Sequence, residues 1–280
     1  MRPIPPTVSI ITSVRNQLQM NKLFVEYVQR YTYYEYELIV IDNASTDGST
    51  EFFKSTGATV IRNETNYSYP HCQNQGLSVA KGQLIAFLNN DLIVSPNWDQ
   101  KLLDVMQRQG YDFLSPASND RAESDKKTRT LRNRWRLIKN PLLTLFGPRR
   151  AVLLGMFKLM YRNWEAYQDQ RTTHFAGKVK EGFSGSCIVA TKQGLEKIGT
   201  YWDERIQRAD FDFYLRTKKR ALTEKDVKPL HLALEVYFHH FSRLTLKSKH
   251  YVPFTDAANL ITEDEKWGSE KKELIADIEY

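Results

Sequence analysis

The sequence predicts an α/β fold: a mostly parallel central sheet flanked by helices, with a basic and apolar insertion and a short C-terminal extension. Three observations predict it. Short apolar or β-branched runs alternate with stretches of helical spacing, the pattern of strands joined by helical crossovers. One run, Leu84-Ile-Ala-Phe-Leu88, is apolar throughout, so both of its faces need cover, as in the middle of a parallel sheet. Two of the runs end in clusters of Asn, Asp and Ser, and the carboxyl ends of strands are where open α/β sheets bind ligands.

In chain order, Thr7-Val-Ser-Ile-Ile-Thr-Ser13 is β-branched and reads as the first strand. Val14-Arg-Asn-Gln17 is the loop after it, and Leu18 to Arg30 a helix with Leu23, Val25, Tyr27 and Val28 on its apolar face. Tyr36-Glu-Leu-Ile-Val-Ile41 is the second strand, closed by Asp42-Asn-Ala-Ser-Thr-Asp-Gly48. Ser45 or Thr46 can cap a helix that starts near Ser49, because a small side-chain oxygen satisfies a free N–H there. Ala58-Thr-Val-Ile-Arg62 is a third strand and His71 to Ala80 a helix. Gly82 then breaks the chain before Leu84–Leu88, after which come Asn89-Asn90-Asp91, a second apolar run Leu92-Ile-Val94, and Ser95-Pro96.

A length of 280 residues suits one large α/β domain or a domain with an appendage. Cys72 and Cys187 are the only cysteines, so neither a disulfide framework nor a Cys-based zinc site is expected, and the compartment should be reducing. The first residues lack the apolar core of a signal peptide, and no uncharged apolar run reaches the ~18 residues of a membrane span. The expected location is therefore cytoplasmic. A net charge of +7 favours anionic partners: nucleotides, nucleic acid or acidic lipid.

Asp91, with two amides beside it at a strand end, suits a hard cation that carries phosphate oxygens. Read alone, Asn-Asn-Asp is equally a turn. Asp42, directly after a buried strand, can accept a hydrogen bond from a base imide or a ribose hydroxyl; by itself it reads as a turn or helix cap. No Gly-x-Gly-x-x-Gly follows the first strand and no P-loop is present, so any phosphate is held by another device.

Taken in order, Thr7-Val-Ser-Ile-Ile-Thr-Ser-Val-Arg-Asn16, Ile41-Asp-Asn-Ala-Ser-Thr-Asp-Gly48, Asn74-Gln-Gly76 and Ala80-Lys-Gly-Gln-Leu-Ile-Ala-Phe-Leu-Asn-Asn-Asp91 resemble the nucleotide-binding half of family 2 glycosyltransferases with the GT-A (Rossmann-like) fold. Gly182-Phe-Ser-Gly-Ser-Cys-Ile-Val-Ala190, Ile198-Gly-Thr-Tyr-Trp-Asp-Glu204 and Ala209-Asp-Phe-Asp-Phe-Tyr-Leu-Arg216 resemble its acceptor half. The resemblance implies a nucleotide-sugar-binding half over 1–118, an insertion over 119–180, an acceptor-binding and catalytic half over 181–250, and an extension over 251–280. It implies a nucleotide site drawn from Thr12, Ser13, Arg15, Asp42, Asn43, Asn74, Asn89 and Asn90, with Asp42 on the base. It also implies Mn²⁺ or Mg²⁺ on Asp91, with His239 completing the shell and His240 as the alternative. His239 is preferred because Ser242 then falls where the family has a small polar residue.

Asp210 is the implied catalytic base and Asp212 a supporting or alternative carboxylate. Two departures stand out: Asn89 replaces the first acid of the family's Asp-x-Asp motif, and Ala209 replaces the Glu that often precedes the base. The implied reaction is attack of an acceptor hydroxyl on the anomeric carbon of a nucleotide-activated sugar, and one base with direct displacement inverts that centre. Retention needs a second carboxylate beside the carbon, a place the sequence leaves open to Asp212, and inversion is preferred. A pyrimidine nucleotide is the preferred donor, and the acceptor is a glycan, a lipid-linked molecule or a protein.

Lys126 to Arg150 holds nine Lys or Arg and no acid, and Ala151 to Tyr161 is apolar with one charge. This fits a peripheral segment on an anionic membrane, the inner face in a cytoplasmic enzyme. It fits equally an apolar stretch packed into the protein's own core beneath a solvated basic face. Arg134-Trp135 is similar to the end of the Gln-x-x-Arg-Trp signature of processive synthases, but position 131 is Leu, which argues against processive synthesis. The competing functions are a nucleotidyltransferase on a related sheet and a non-catalytic binder of nucleotide-sugars or glycans. Nucleic-acid binding is not expected, since it leaves Asp42, Asp91 and Asp210 without a role.

Overall fold

A computed structural model describes residues 8–242, 244 and 252–276; Thr7 of the expected first strand, residues 245–251 and residues 277–280 lie outside them. The chain begins β1 (Val8–Val14), α1 (Leu18–Tyr31), β2 (Tyr36–Asn43), α2 (Ser49–Ser55), β3 (Thr59–Asn63), α3 (Tyr69–Leu77) and β4 (Leu84–Leu88). It continues through β5 (Leu92–Ile93), α4 (Trp98–Gln109) and β6 (Phe113–Ser118). Three helices follow in the segment expected as an insertion: α5 (Asp125–Phe146), α6 (Arg150–Tyr161) and α7 (Trp164–Phe175). The remainder is β7 (Val179–Glu181), β8 (Cys187–Thr191), α8 (Lys192–Ile198), α9 (Ala209–Thr223), β9 (His231–His240), α10 (Glu263–Trp267) and α11 (Glu270–Ile275).

One sheet runs in the order β3-β2-β1-β4-β8-β6-β9-β5, with β7 also on β9. The pairings β3-β2, β2-β1 and β1-β4 are parallel, as crossover helices require. At β8 the direction reverses: β8 is antiparallel to both β4 and β6, and β9 is parallel to β6. The sheet is thus parallel in its first half and mixed in its second. β4 is buried along its whole length because it sits between β1 and β8 under helices on both faces. Gly76 lets α3 lie close on β1, since a β-carbon there would overlap Ile11 Cγ2.

The register between β6 and β9 shifts between Pro116 and Ala117. Pro116 has no N–H to give to the ladder, so pairing breaks there and resumes at Ala117 with Tyr237 and Ser118 with Phe238. That resumption sets the last residues of β9 beside the end of β6. The insertion packs on this part of the sheet: Leu153, Met156, Phe157 and Met160 of α6 are buried, and Trp135 of α5 stands edge-on to the rings of His239 and Phe241. Its apolar stretch therefore faces inward along one side. No helix among the described residues is long and apolar enough to cross a membrane.

Candidate active site

Asn89, Asn90 and Asp91 form the turn between β4 and β5, at the carboxyl edge of the parallel strands. The backbone N–H of Asn89 donates to Ser186 O at 3.0 Å, tying the turn to the loop before β8. Asn90 Nδ2 donates to Asn21 Oδ1 at 2.6 Å, and Asn21 in turn holds Asn16 O and Ser49 Oγ, so α1 and the first loop brace the turn. Asp91 O accepts from Phe241 N at 2.9 Å, which docks β5 on the end of β9.

β5 pairs antiparallel with β9, Leu92 opposite His240 and Ile93 opposite His239. Successive strand residues point to opposite faces, so the two histidines part company. His239 is 0% exposed among Trp135, Phe157 and Phe241, with its Nδ1 3.0 Å from the Tyr161 hydroxyl. Burial holds its pKa down to about 3, so it is a neutral core residue. His240 faces the other way: its Nε2 is 3.0 Å from Asp91 Oδ1 and its Nδ1 2.6 Å from Asp120 Oδ2. Burial alone would lower the pKa of His240, but the two carboxylates outweigh it and raise the pKa to about 10. The expectation that His239 reaches Asp91 is thus corrected: period-two alternation puts His240 there.

Asp91 Oδ1 is buried without an aligned hydrogen bond. Asp91 Oδ1 and, once a cation displaces its proton, His240 Nε2 at 3.0 Å are a donor pair that suits a divalent ion. The spacing is also about that of neighbouring ligands on an octahedral ion at ~2.1 Å. Among the described residues no group of three or more His, Cys, Asp or Glu converges into a metal cage. Such a pair would leave most of the coordination sphere to water and substrate phosphates, the habit of Mg²⁺-like ions.

Asp210 lies in the first turn of α9, its carboxylate against the backbone of Gly185, where a β-carbon would overlap Oδ2. Burial raises its pKa, although it accepts from Phe211 N at 2.9 Å. Gly185 adjoins Ser186, the partner of Asn89, so Asp210 reaches the same edge as the Asn-Asn-Asp turn. Asp212 is different. It is 0% exposed, and its Oδ1 accepts from Trp267 Nε1 at 2.9 Å and Lys266 Nζ at 2.7 Å, while Arg216 Nε is 3.3 Å from Oδ2. It fastens α9 to α10.

The other expected nucleotide residues divide in the same way. Asp42 is 0% exposed; Oδ1 accepts from Ser45 N at 2.9 Å, and Oδ2 from Thr50 Oγ1 and, at 2.8 Å, Arg62 Nη1. The residue expected to contact the base is thus bonded within its own turn, to α2 and to β3. Asn43 bonds Tyr67 O and Asn63, and Asn74 bonds Trp202 and Glu204, joining α3 to the loop after α8. Arg15 donates to Asn43 O at 2.6 Å. Thr12 is buried in β1 with its hydroxyl unpartnered among the described residues, and Ser13 is half-buried beside it.

A family model described as glycosyl transferase family 2 matches residues 9–199. The chain belongs to glycosyltransferase family 2. Family membership sets aside the nucleotidyltransferase alternative, and the sheet and its helices are those of the GT-A fold. S. aureus TarS shares the fold at a TM-score of 0.50, with 16% identity over 82% of this chain and 36% of TarS. Glycosyltransferase GlyG of Streptococcus pneumoniae is 28% identical over 42% of this chain and 41% of its own. O-antigen biosynthesis protein RfbC of Myxococcus xanthus is 24% identical over 77% of this chain and 16% of its own. The chain spans less than half the length of these relatives.

Sequence reasoning missed Asn119 and Asp120 in this family 2 chain. Ser118-Asn119-Asp120 is a polar cluster at a strand end, the same signal as Asn89-Asn90-Asp91, but the expected boundary at 118/119 puts Asn119 and Asp120 in the insertion. Arg62, the partner of Asp42, was missed because pairing between neighbouring strands shows only once register is known.

Proposed function

We propose that the chain is an inverting glycosyltransferase that moves a sugar from a nucleoside-diphosphate donor, a pyrimidine nucleotide by preference, to an acceptor hydroxyl in surface-glycan or glycoconjugate assembly. The observation that carries this reading is the meeting of three groups at one sheet edge: the Asp91–His240 pair, the Asn89-Asn90 amides and the Asp210 carboxylate over Gly185. Asp91 and His240 would hold Mn²⁺ or Mg²⁺, which when bound neutralises charge on the departing diphosphate. Asn89 in place of an acid leaves one carboxylate in that turn, so affinity for the ion alone would be modest.

Asp210 takes the proton of the acceptor hydroxyl as its oxygen forms the bond to the anomeric carbon. The nucleoside diphosphate leaves from the opposite face, which inverts the centre. Burial suits Asp210 to this task, because a raised pKa makes the carboxylate a better proton acceptor. With Asp212 fastened to Trp267 and Lys266, Asp210 works as a single base. Asp210→Asn should leave donor Kd nearly unchanged while kcat falls by roughly 10²–10⁴. Turnover within a few-fold of the parent would mean that the base lies elsewhere.

The α5–α6 hairpin would seat the enzyme on an anionic membrane that carries a lipid-linked acceptor. Its inner side is committed to the core, but Leu137, Leu145, Phe146 and Leu159 are exposed next to Arg136, Arg149 and Lys158. Apolar side chains flanked by cations are the composition of a peripheral membrane contact.

A further inference from the structure

His240 is held from both sides by two residues that no motif singled out. Asn119 clamps its backbone: Nδ2 donates to His240 O at 2.9 Å and Oδ1 accepts from His240 N at 2.7 Å. Asp120 then takes the ring, with Oδ2 2.6 Å from Nδ1. Asp120 is itself fixed from the insertion, since Arg132 of α5 donates to its backbone O at 2.7 Å and brings Nε to 3.7 Å from Oδ1. The ring thus has one nitrogen spoken for and the other facing Asp91.

We infer that Asp120, braced by Arg132, is a positioning residue that fixes the His240 ring so that Nε2 is presented with Asp91 to a divalent cation. A carboxylate that accepts the far N–H of a metal-binding imidazole sets its tautomer and orientation and makes the ligating nitrogen more basic. The geometry supplies each part of such a device: a short Nδ1 contact, a clamped backbone and a buried carboxylate oxygen 3.0 Å from Nε2. It gives the insertion a role at the site, because α5 carries the arginine that holds Asp120. The inference rests on the metal reading of Asp91 and His240.

The test is titration of the full chain with Mn²⁺ alone, read by the electron paramagnetic resonance of free Mn²⁺, with thermal midpoints taken in the absence of metal. Asp120→Ala should weaken Mn²⁺ binding by roughly 10–100-fold, the usual effect of removing such a partner. Asp120→Asn, which still offers an oxygen to Nδ1–H, should lose less, and it serves as the folded variant if the alanine chain unfolds. In a His240→Ala background, Asp120→Ala should change Mn²⁺ affinity less than about twofold, a coupling that a merely structural carboxylate would not show. Parent-like Mn²⁺ affinity in Asp120→Ala, or an equal loss with His240 already gone, overturns the positioning role and leaves the metal reading standing. Failure of the parent chain to bind Mn²⁺ overturns the metal reading and the positioning role with it.

Discussion

The carboxylate of Asp210 lies over Gly185 where any β-carbon would overlap it, and burial raises its pKa above the ordinary 3.8. Gly185→Ala should therefore push Asp210 off its place and cut kcat much as Asp210→Asn does, with the thermal midpoint nearly kept, because the displaced atom ends a flexible side chain. The raised pKa also fixes two signs. A carboxylate base works only when ionised, so with Asp210 in the proposed role the acid limb of the kcat profile should lie above 3.8. For stability, a raised folded pKa means a contribution that is whole below the unfolded pKa and lost as pH rises through the folded one. The parent should lose stability relative to Asp210→Asn as pH rises above the ordinary carboxylate value of 3.8, which melting curves on the acid side of neutrality would show. Asp42 belongs to the opposite class. Asp42→Asn removes the charge that faces Arg62 and should cost about 1–3 kcal/mol of stability. Unchanged stability with a tenfold or greater loss of nucleotide affinity would mark Asp42 as a base contact.

Among the elements, the parallel strands were legible because each is a short apolar run between turn residues, and β4 most of all. The expected third strand and the helix from His71 agree with β3 and α3 to within a residue or two at most ends. β8 and β9 gave no such help with direction, since an apolar run does not say which neighbour it pairs with. The choice between His239 and His240 was lost for a related reason: it depends on which face of β9 meets β5, and register is set by long-range pairing. The Asn89-Asn90-Asp91 turn and Asp210 were legible from the order of motifs, whereas Asn119 and Asp120 sit at a strand end whose neighbour is distant in sequence. The α5–α6 hairpin divides between core and surface as its mixed composition allows. Its exposed face should bind acidic liposomes in sedimentation, less so as salt rises, because surface attraction is screened over ~8–10 Å. Replacing Leu145 and Phe146 by Ser should weaken that binding without unfolding the chain, since both side chains are exposed. Equal sedimentation with neutral liposomes, or none with either, would count against a membrane role.

Across the whole molecule, one sheet carries both halves of the candidate site. Asn89 bonds Ser186 across β4 and β8, Asn74 bonds Trp202 and Glu204 across α3 and the loop after α8, and His240 returns from β9 to Asp91. The Asn-Asn-Asp turn of the first half thus lies on the same sheet as Asp210 and His240 of the second. The net charge of +7 adds a general attraction for a diphosphate. The central claim is that this edge activates a nucleotide-sugar through Asp91. Release of free nucleoside diphosphate from a panel of sugar nucleotides, measured with and without Mn²⁺ for the parent and Asp91→Ala, tests it most directly. The parent should release diphosphate from at least one donor, faster with Mn²⁺, and Asp91→Ala should lose that response to the metal. No release from any donor would favour a non-catalytic binder, and a response to Mn²⁺ that survives in Asp91→Ala would contradict the site.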